Sequence, residues 1–149
     1  MRRSFLSALG LFFIGCFPVF TAPILCAEKG DEAAIAKVGD TFFKTYIGSK
    51  DPFGYLLKSP VVTPALKASF NALKKKNGGE WDYDPVTQGN DRADIYLTSH
   101  VKVQGDMATA QGTAKGWPSI PMRFVLSSHG WLIDGVGDLN KSGGKYHQL

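Results

Sequence analysis

The chain has 149 residues, with 17 basic and 13 acidic side chains and a formal charge of +4. That excess is small, which gives little support to nucleic-acid binding, where a clustered basic face is needed. Both cysteines, Cys16 and Cys26, fall near the amino terminus, so the rest of the chain offers no disulfide, thiol nucleophile or thiolate metal site.

The first 27 residues read as one unit. Arg2 and Arg3 form a basic head, Phe5 to Phe20 is an almost unbroken apolar run, and Ala27 provides a small residue at a cut site. This is the layout of a secretory signal peptide. Pro18 and Pro23 interrupt the run before it reaches the roughly 20 apolar residues of a membrane-spanning helix. Leu25-Cys26-Ala27 fits ordinary cleavage, and polar Glu28-Lys29-Gly30-Asp31 follows at once. A lipid anchor at Cys16 is the competing reading, because Phe13-Ile14-Gly15-Cys16 loosely matches a lipobox. That cut would leave Phe17, Phe20, Ile24 and Leu25 exposed at the new terminus. The expectation is a bacterial periplasmic or secreted protein whose mature chain starts at Glu28. Without its leader the chain keeps 15 basic against 13 acidic residues. About 120 residues suffice for one hydrophobic core, so residues 28–139 are expected to form a single domain.

The amino-terminal half is predicted helical. Ile35, Val38, Phe42, Tyr46 and Ile47 recur at three- and four-residue steps, with Asp31 as the expected cap and Gly48 as the stop. Gly39 sits inside this helix at a cost of about 1 kcal/mol relative to alanine, so packing must hold it. Asp51-Pro52-Phe53-Gly54 reads as a turn and Tyr55-Leu56-Leu57 as a short buried piece. Thr63 then caps a second helix, Pro64 suits its first position, Leu66, Phe70 and Leu73 form its stripe, and Gly78-Gly79 ends it.

The carboxy-terminal half changes period. Ile95, Leu97, Val101 and Val103 are expected to point inward from a first strand, with Tyr96 and His100 on its polar face. After Gln104-Gly105-Asp106, small residues Ala108, Ala110, Gly112 and Ala114 share one face of a second strand, which lets a helix approach. Met122, Phe124 and Leu126 point inward from a third strand, and Trp131 to Val136 makes the fourth. Residues 140–149 have little to bury and read as a loose tail. Helices followed by an antiparallel meander predict an α+β fold: two or three amino-terminal helices packed on a curved four-stranded antiparallel sheet.

Three stretches carry a resemblance. Asp82-Tyr83-Asp84-Pro85-Val86-Thr87-Gln88, the Gly105-Asp106-Met107-Ala108-Thr109-Ala110 hairpin and the closing Gly130-Trp131-Leu132-Ile133-Asp134 together resemble a family of uncharacterised exported bacterial domains. That family is similar to the nuclear-transport-factor-like cone fold. The resemblance covers about residues 33 to 139 and implies a curved sheet with a hollow mouth. The chain departs from it at Gln88-Gly89-Asn90-Asp91, where the glutamine and aspartate are separated by an insertion.

No catalytic set converges in the sequence. The acidic segment from Glu80 to Asp94 starts like a calcium loop at Asp82 and Asp84, but Val86 and Thr87 break the pattern and no closing glutamate follows. It reads as a solvated loop, with Asp84, Gln88 and Asp91 as its ligand-binding candidates. Tyr96 is a further candidate at the mouth of the sheet, and the loop tryptophans Trp81 and Trp117 are candidates for an exposed contact. His100, His129 and His147 are unlinked and make no zinc site, so no metal and no cofactor is implied. Lys74-Lys75-Lys76 complements a helix C-terminus and needs no anionic partner.

The expected function is a small exported envelope protein that binds a protein partner or small ligand without catalysis, of an accessory or immunity type. The alternative is a cone-fold isomerase or hydro-lyase using a carboxyl–tyrosine pair in an apolar pocket. Tyr46, Tyr55, Tyr83 and Tyr96 with Asp94 and Asp134 are the groups available for it. Val125 and Leu132, at outward strand positions, allow a homodimer beside a monomer, and no membrane span is expected in the mature chain. Intact-mass measurement on native protein checks the leader: the expected mass starts at Glu28, and a mass that includes Met1 or a lipidated Cys16 defeats that assignment.

Overall fold

A computed structural model describes residues 29–80 and 82–141. Among the described residues three α-helices precede a four-stranded antiparallel sheet that stays open, an α+β arrangement with the helices on the amino-terminal side. Helix α1 spans Lys29–Gly48, α2 Pro52–Lys58 and α3 Pro64–Lys76. Asp31 lies inside the first turn of α1, where its charge meets the helix dipole, and is not the cap expected from the sequence.

The stretch read as a turn and a buried piece is helix α2. Asp51 is its cap, with Oδ1 accepting from Gly54 N at 2.9 Å, and Pro52 takes the first helical position. An Asp-Pro pair serves a turn or a helix start equally well, because both use the short acceptor and the fixed φ. A side chain at position 54 would collide with the Asp51 carboxylate, so Gly54 makes room for the cap. Helix α3 follows expectation. Thr63 Oγ1 accepts from Leu66 N at 3.1 Å, and Gly78 and Gly79 carry the chain out at φ of 70° and 91°.

Strands β1 (Leu97–Gln104), β2 (Met107–Thr113), β3 (Ile120–Ser127) and β4 (Gly130–Val136) lie in sequence order. Ala108, Ala110, Ile120, Met122, Phe124, Trp131 and Ile133 are buried on the inner face against Ile35, Phe42, Phe43, Tyr46, Leu66 and Phe70. The small residues of β2 do what their size implies. A Cβ at Gly112 would enter the ring of Phe43, and one at Gly39 would strike the Thr98 side chain, so α1 reaches the sheet at two glycines. This contact explains why a glycine is kept in the middle of α1.

The start of β1 has the opposite phase from the one expected. Ile95 and Leu97 are 69% and 57% exposed, whereas Tyr96 is buried. The pairing with β2 shifts between Ser99 and Lys102, and His100 there has φ of 53°. One extra residue at such a bulge inverts the alternation, so Tyr96 and Thr98 face the helices before it and Val101 and Val103 after it. Leu126 was also expected inside and is 44% exposed, at the turn end of β3 where it pairs with Trp131.

Both edges of the sheet are occupied or interrupted. Along β4, the Val61–Thr63 segment makes a parallel bridge, with Ile133 N donating to Val61 O at 2.8 Å and Thr63 N to Ile133 O at 3.0 Å. Along β1, the Asp40 carboxylate of α1 accepts from Thr98 N at 2.6 Å, and the bulge breaks the ladder two residues later, at His100. Among the described residues no helix is long and apolar enough to cross a membrane.

Trp131 is 6% exposed, and its indole N–H points to Asp31 of α1 at 3.4 Å. It therefore joins the last strand to the first helix. Trp131→Ala should lower stability by about 3–5 kcal/mol, read as an unfolding midpoint in urea against the parent chain.

Candidate functional site

The polar centre of the molecule lies where the loop before β1 meets α1. Tyr46 follows Phe42 by one turn on the buried face of α1, and the two rings stack at 5.5 Å. Its hydroxyl donates to Asp84 Oδ1 at 2.9 Å. The same oxygen accepts from Val86 N at 2.8 Å and Thr87 N at 3.3 Å, so the carboxylate closes a tight turn of its own loop. Asp84 Oδ2 faces Arg92 at 3.5 Å, and Arg92 also donates to the Ile47 carbonyl of α1 at 3.3 Å. Asp84 N donates to Gly89 O at 3.0 Å, which closes the base of the loop.

Asp84 is therefore not the solvated group expected from the sequence. It ties the loop to the core. Burial, reinforced by the adjacent Asp84 charge, pushes the Tyr46 phenol far above its ordinary pKa, so Tyr46 stays a neutral donor. Tyr46 and Asp84 are a carboxyl–tyrosine pair, but Tyr46 is fully buried and both of its partner's oxygens are engaged. The pair acts as a clasp.

A second polar contact holds the other side of the loop. Asp138, in the 3₁₀ turn Gly137–Lys141 after β4, accepts from Tyr83 Oη and from Gln88 Nε2, both at 2.8 Å. The bond to Asp138 raises the pKa of the Tyr83 phenol. Asp138 N donates to Pro85 O at 2.9 Å, and a side chain at Gly137 would collide with the carbonyls of Pro85 and Val86. Gln88 itself has φ of 60°.

Between this loop and α2 lies an open cleft of about 260 Å³, lined by Phe53, Asp82, Tyr83, Asp84, Thr87 and Arg92 among others. Thr87 is only 8% exposed, and its hydroxyl has no hydrogen-bond partner.

The candidates named from the sequence scatter. Asp84 lines the cleft and holds the clasp, Gln88 is exposed and bonded to Asp138, and Asp91 is exposed beside Arg92. Tyr96 is not on a polar face. It is buried, its ring lies 5.3 Å from Phe43, and its hydroxyl accepts from Ala93 N at 3.3 Å. Trp81 lies outside the described residues. Trp117, in the β2–β3 connection, is 39% exposed. Asp134, one of the two carboxyls available to the enzyme alternative, is paired with Arg123 at 2.9 Å and accepts from Thr63 Oγ1 at 2.8 Å. Arg92, Thr87 and Asp138 escaped the sequence reading. No local pattern marks them, because their partners are distant in the chain. Asp82 and Asp84 make up the acidic side of the cleft, and among the described residues no three His, Cys, Asp or Glu side chains are placed to hold a metal ion.

Comparison with protein-family models, curated proteins and solved structures gives no match. Function has to be argued from the side chains alone.

Asp84→Ala would leave the Tyr46 hydroxyl, two backbone N–H groups and Arg92 without their acceptor, and should destabilise by about 3 kcal/mol in urea melts. Tyr46 gives a separate pH signature. Its folded pKa lies above the unfolded value, so its stabilising contribution is complete below about pH 10 and is lost as pH rises further. Above that pH the loss is about 1.4 kcal/mol per unit. Tyr46→Phe should remove this part of the alkaline slope, measured as unfolding free energy at several pH values from 9 to 11.

Proposed function

We propose that this is a non-catalytic binding domain, exported by its leader, that engages a protein partner of the cell envelope through the outer face of its sheet. The observation that carries this reading is the pair Ile95 and Leu97. They are the most exposed large apolar side chains among the described residues, at 69% and 57%. Leu97 pairs with Thr113 at the end of β2, and Trp117 follows four residues later, its N–H on Ala114 O at 3.2 Å. Ile95 and Leu97 thus lie two residues apart at the end of the sheet where β1 begins and β2 ends, and the half-exposed Trp117 sits in the connection that follows β2. Exposed apolar side chains that gather in this way mark interaction surfaces more often than scattered ones do.

The mode of contact follows from the edges. Strand addition needs an unpaired run of N–H and C=O groups, and β1 gives up Thr98 N to Asp40 and breaks its ladder at the bulge. The partner therefore packs on side chains. The inner face supports the same reading from the other direction. Phe42, Phe43, Tyr46 and Tyr96 fill the space between α1 and the sheet with rings 5.3 to 5.6 Å apart, where a cone-fold enzyme keeps its substrate cavity.

Ile95→Asp with Leu97→Asp should leave stability within about 0.5 kcal/mol of the parent, since both sites are exposed. Binding should be lost. In a pull-down from envelope extract, the parent chain should retain a protein that the double variant does not. Equal retention by both chains rejects this surface.

A further inference from the structure

Residues 74–80 are all exposed, and they carry the chain out of α3 into the loop that Asp84 fastens. We infer that Asn77 is a site of spontaneous covalent modification, where the side-chain amide is lost through a cyclic imide and the backbone is rerouted through the side chain.

The step balances with water as its one co-reactant. Gly78 N attacks Asn77 Cγ, a new C–N bond closes a succinimide, and Nδ2 leaves as ammonia with the proton that Gly78 N gives up. Water then opens the ring. Attack at Cγ yields aspartate on the original backbone. Attack at the main-chain carbonyl yields isoaspartate, whose chain runs through Cγ. Nothing is oxidised or reduced.

Three features assign this chemistry to Asn77. The first is its neighbour. Of Asn71, Asn77, Asn90 and Asn140, only Asn77 precedes a glycine. A side chain on the attacking residue crowds ring closure, and Gly78 has none. The second is the cap. Asn77 closes α3 with φ of −88° and ψ of 16°. Ring closure needs ψ to turn and Gly78 N to leave Lys75 O, a bond of 3.2 Å at the long end of the usual range. Helix ends open at little cost, and Gly78 and Gly79 leave the segment free to turn. Asn71 is the contrast, because it lies inside α3, where the helix ladder holds the following N–H. Asn140 is held too, with its carbonyl accepting from Arg123 at 3.2 Å. The third is charge. Lys74, Lys75 and Lys76 directly precede the site, and their positive potential favours the deprotonated amide nitrogen that attacks.

The products act on the helix end. A carboxylate at position 77 meets the negative end of the α3 dipole. Isoaspartate also lengthens the backbone by one carbon between the Asn77 Cα and Gly78 N positions. The capping bonds from Gly78 N to Lys75 O and from Gly79 N to Lys74 O cannot both survive that insertion.

The test is incubation of the folded chain in mildly alkaline buffer made with ¹⁸O-labelled water, followed by peptide mapping with electron-transfer fragmentation, which tells isoaspartate from aspartate. The expected result is one ¹⁸O atom at position 77 in both products, with isoaspartate in excess, while Asn71, Asn90 and Asn140 keep their amides. Asn77→Gln should leave that position unlabelled. A parallel incubation in urea should speed the reaction at Asn77 by no more than about tenfold, since the folded cap opens readily. The inference falls if Asn77 keeps its amide in the folded chain and loses it only in urea. It falls equally if another asparagine reacts first, or if label enters aspartate with no isoaspartate beside it.

Discussion

Helix α1 can lie against the sheet only because two residues have no side chain. At Gly39 the helix backbone meets Thr98 of β1, and at Gly112 the β2 backbone meets the ring of Phe43. The remaining geometry descends from this approach. With α1 held close, Asp40 reaches Thr98 N on the free edge of β1, and Phe43 lies over both Gly112 and the Tyr96 ring. One turn further along, Tyr46 is delivered to Asp84. A bulkier residue at either glycine would push α1 outward and separate Tyr46 from its acceptor, so the packing of the helix and the order of the loop are one event. The helical cost of Gly39, about 1 kcal/mol, is offset by burying the aromatic residues that follow it.

Local signals were legible wherever the governing contact is also local. Thr63 and Pro64 announce the start of α3 because cap and capped N–H are three residues apart. The small residues of β2 announce a close helix because the requirement acts position by position on one strand. The phase of β1 was not legible in the same way. Its apolar residues Ile95, Leu97, Val101 and Val103 share odd positions, and simple alternation puts them on one face. The bulge at His100 adds a residue and divides them into two exposed and two half-buried. Histidine is one of the few non-glycine residues enriched at positive φ, but that bias is too weak to mark a bulge inside a run that otherwise alternates. Asp84 failed for a different reason. Asp-Pro in an acidic stretch looks solvated, and the acceptor role of the carboxylate depends on a tyrosine 38 residues away.

The cleft beside α2 and the exposed pair Ile95 and Leu97 share a support. The loop from Asp82 to Arg92 shapes the cleft, and the same segment continues through Ala93 and Tyr96 to the exposed pair Ile95 and Leu97. It is fixed to α1 at Asp84, at Arg92 and through the Tyr96 ring on Phe43. From Ile95 to Thr98 outward side chains alternate with inward ones, and the inward ones decide where the outward ones point. Tyr96 holds Ile95 and Leu97 outside because its own ring is taken up by the core. For a binding domain this arrangement has an energetic advantage. A partner that meets Ile95 and Leu97 finds them already presented, so the ordering cost of the loop falls in folding and not in association. On the proposed reading Asp84 and Arg92 support recognition, and the contacts themselves fall to the residues that the clasp leaves uncovered.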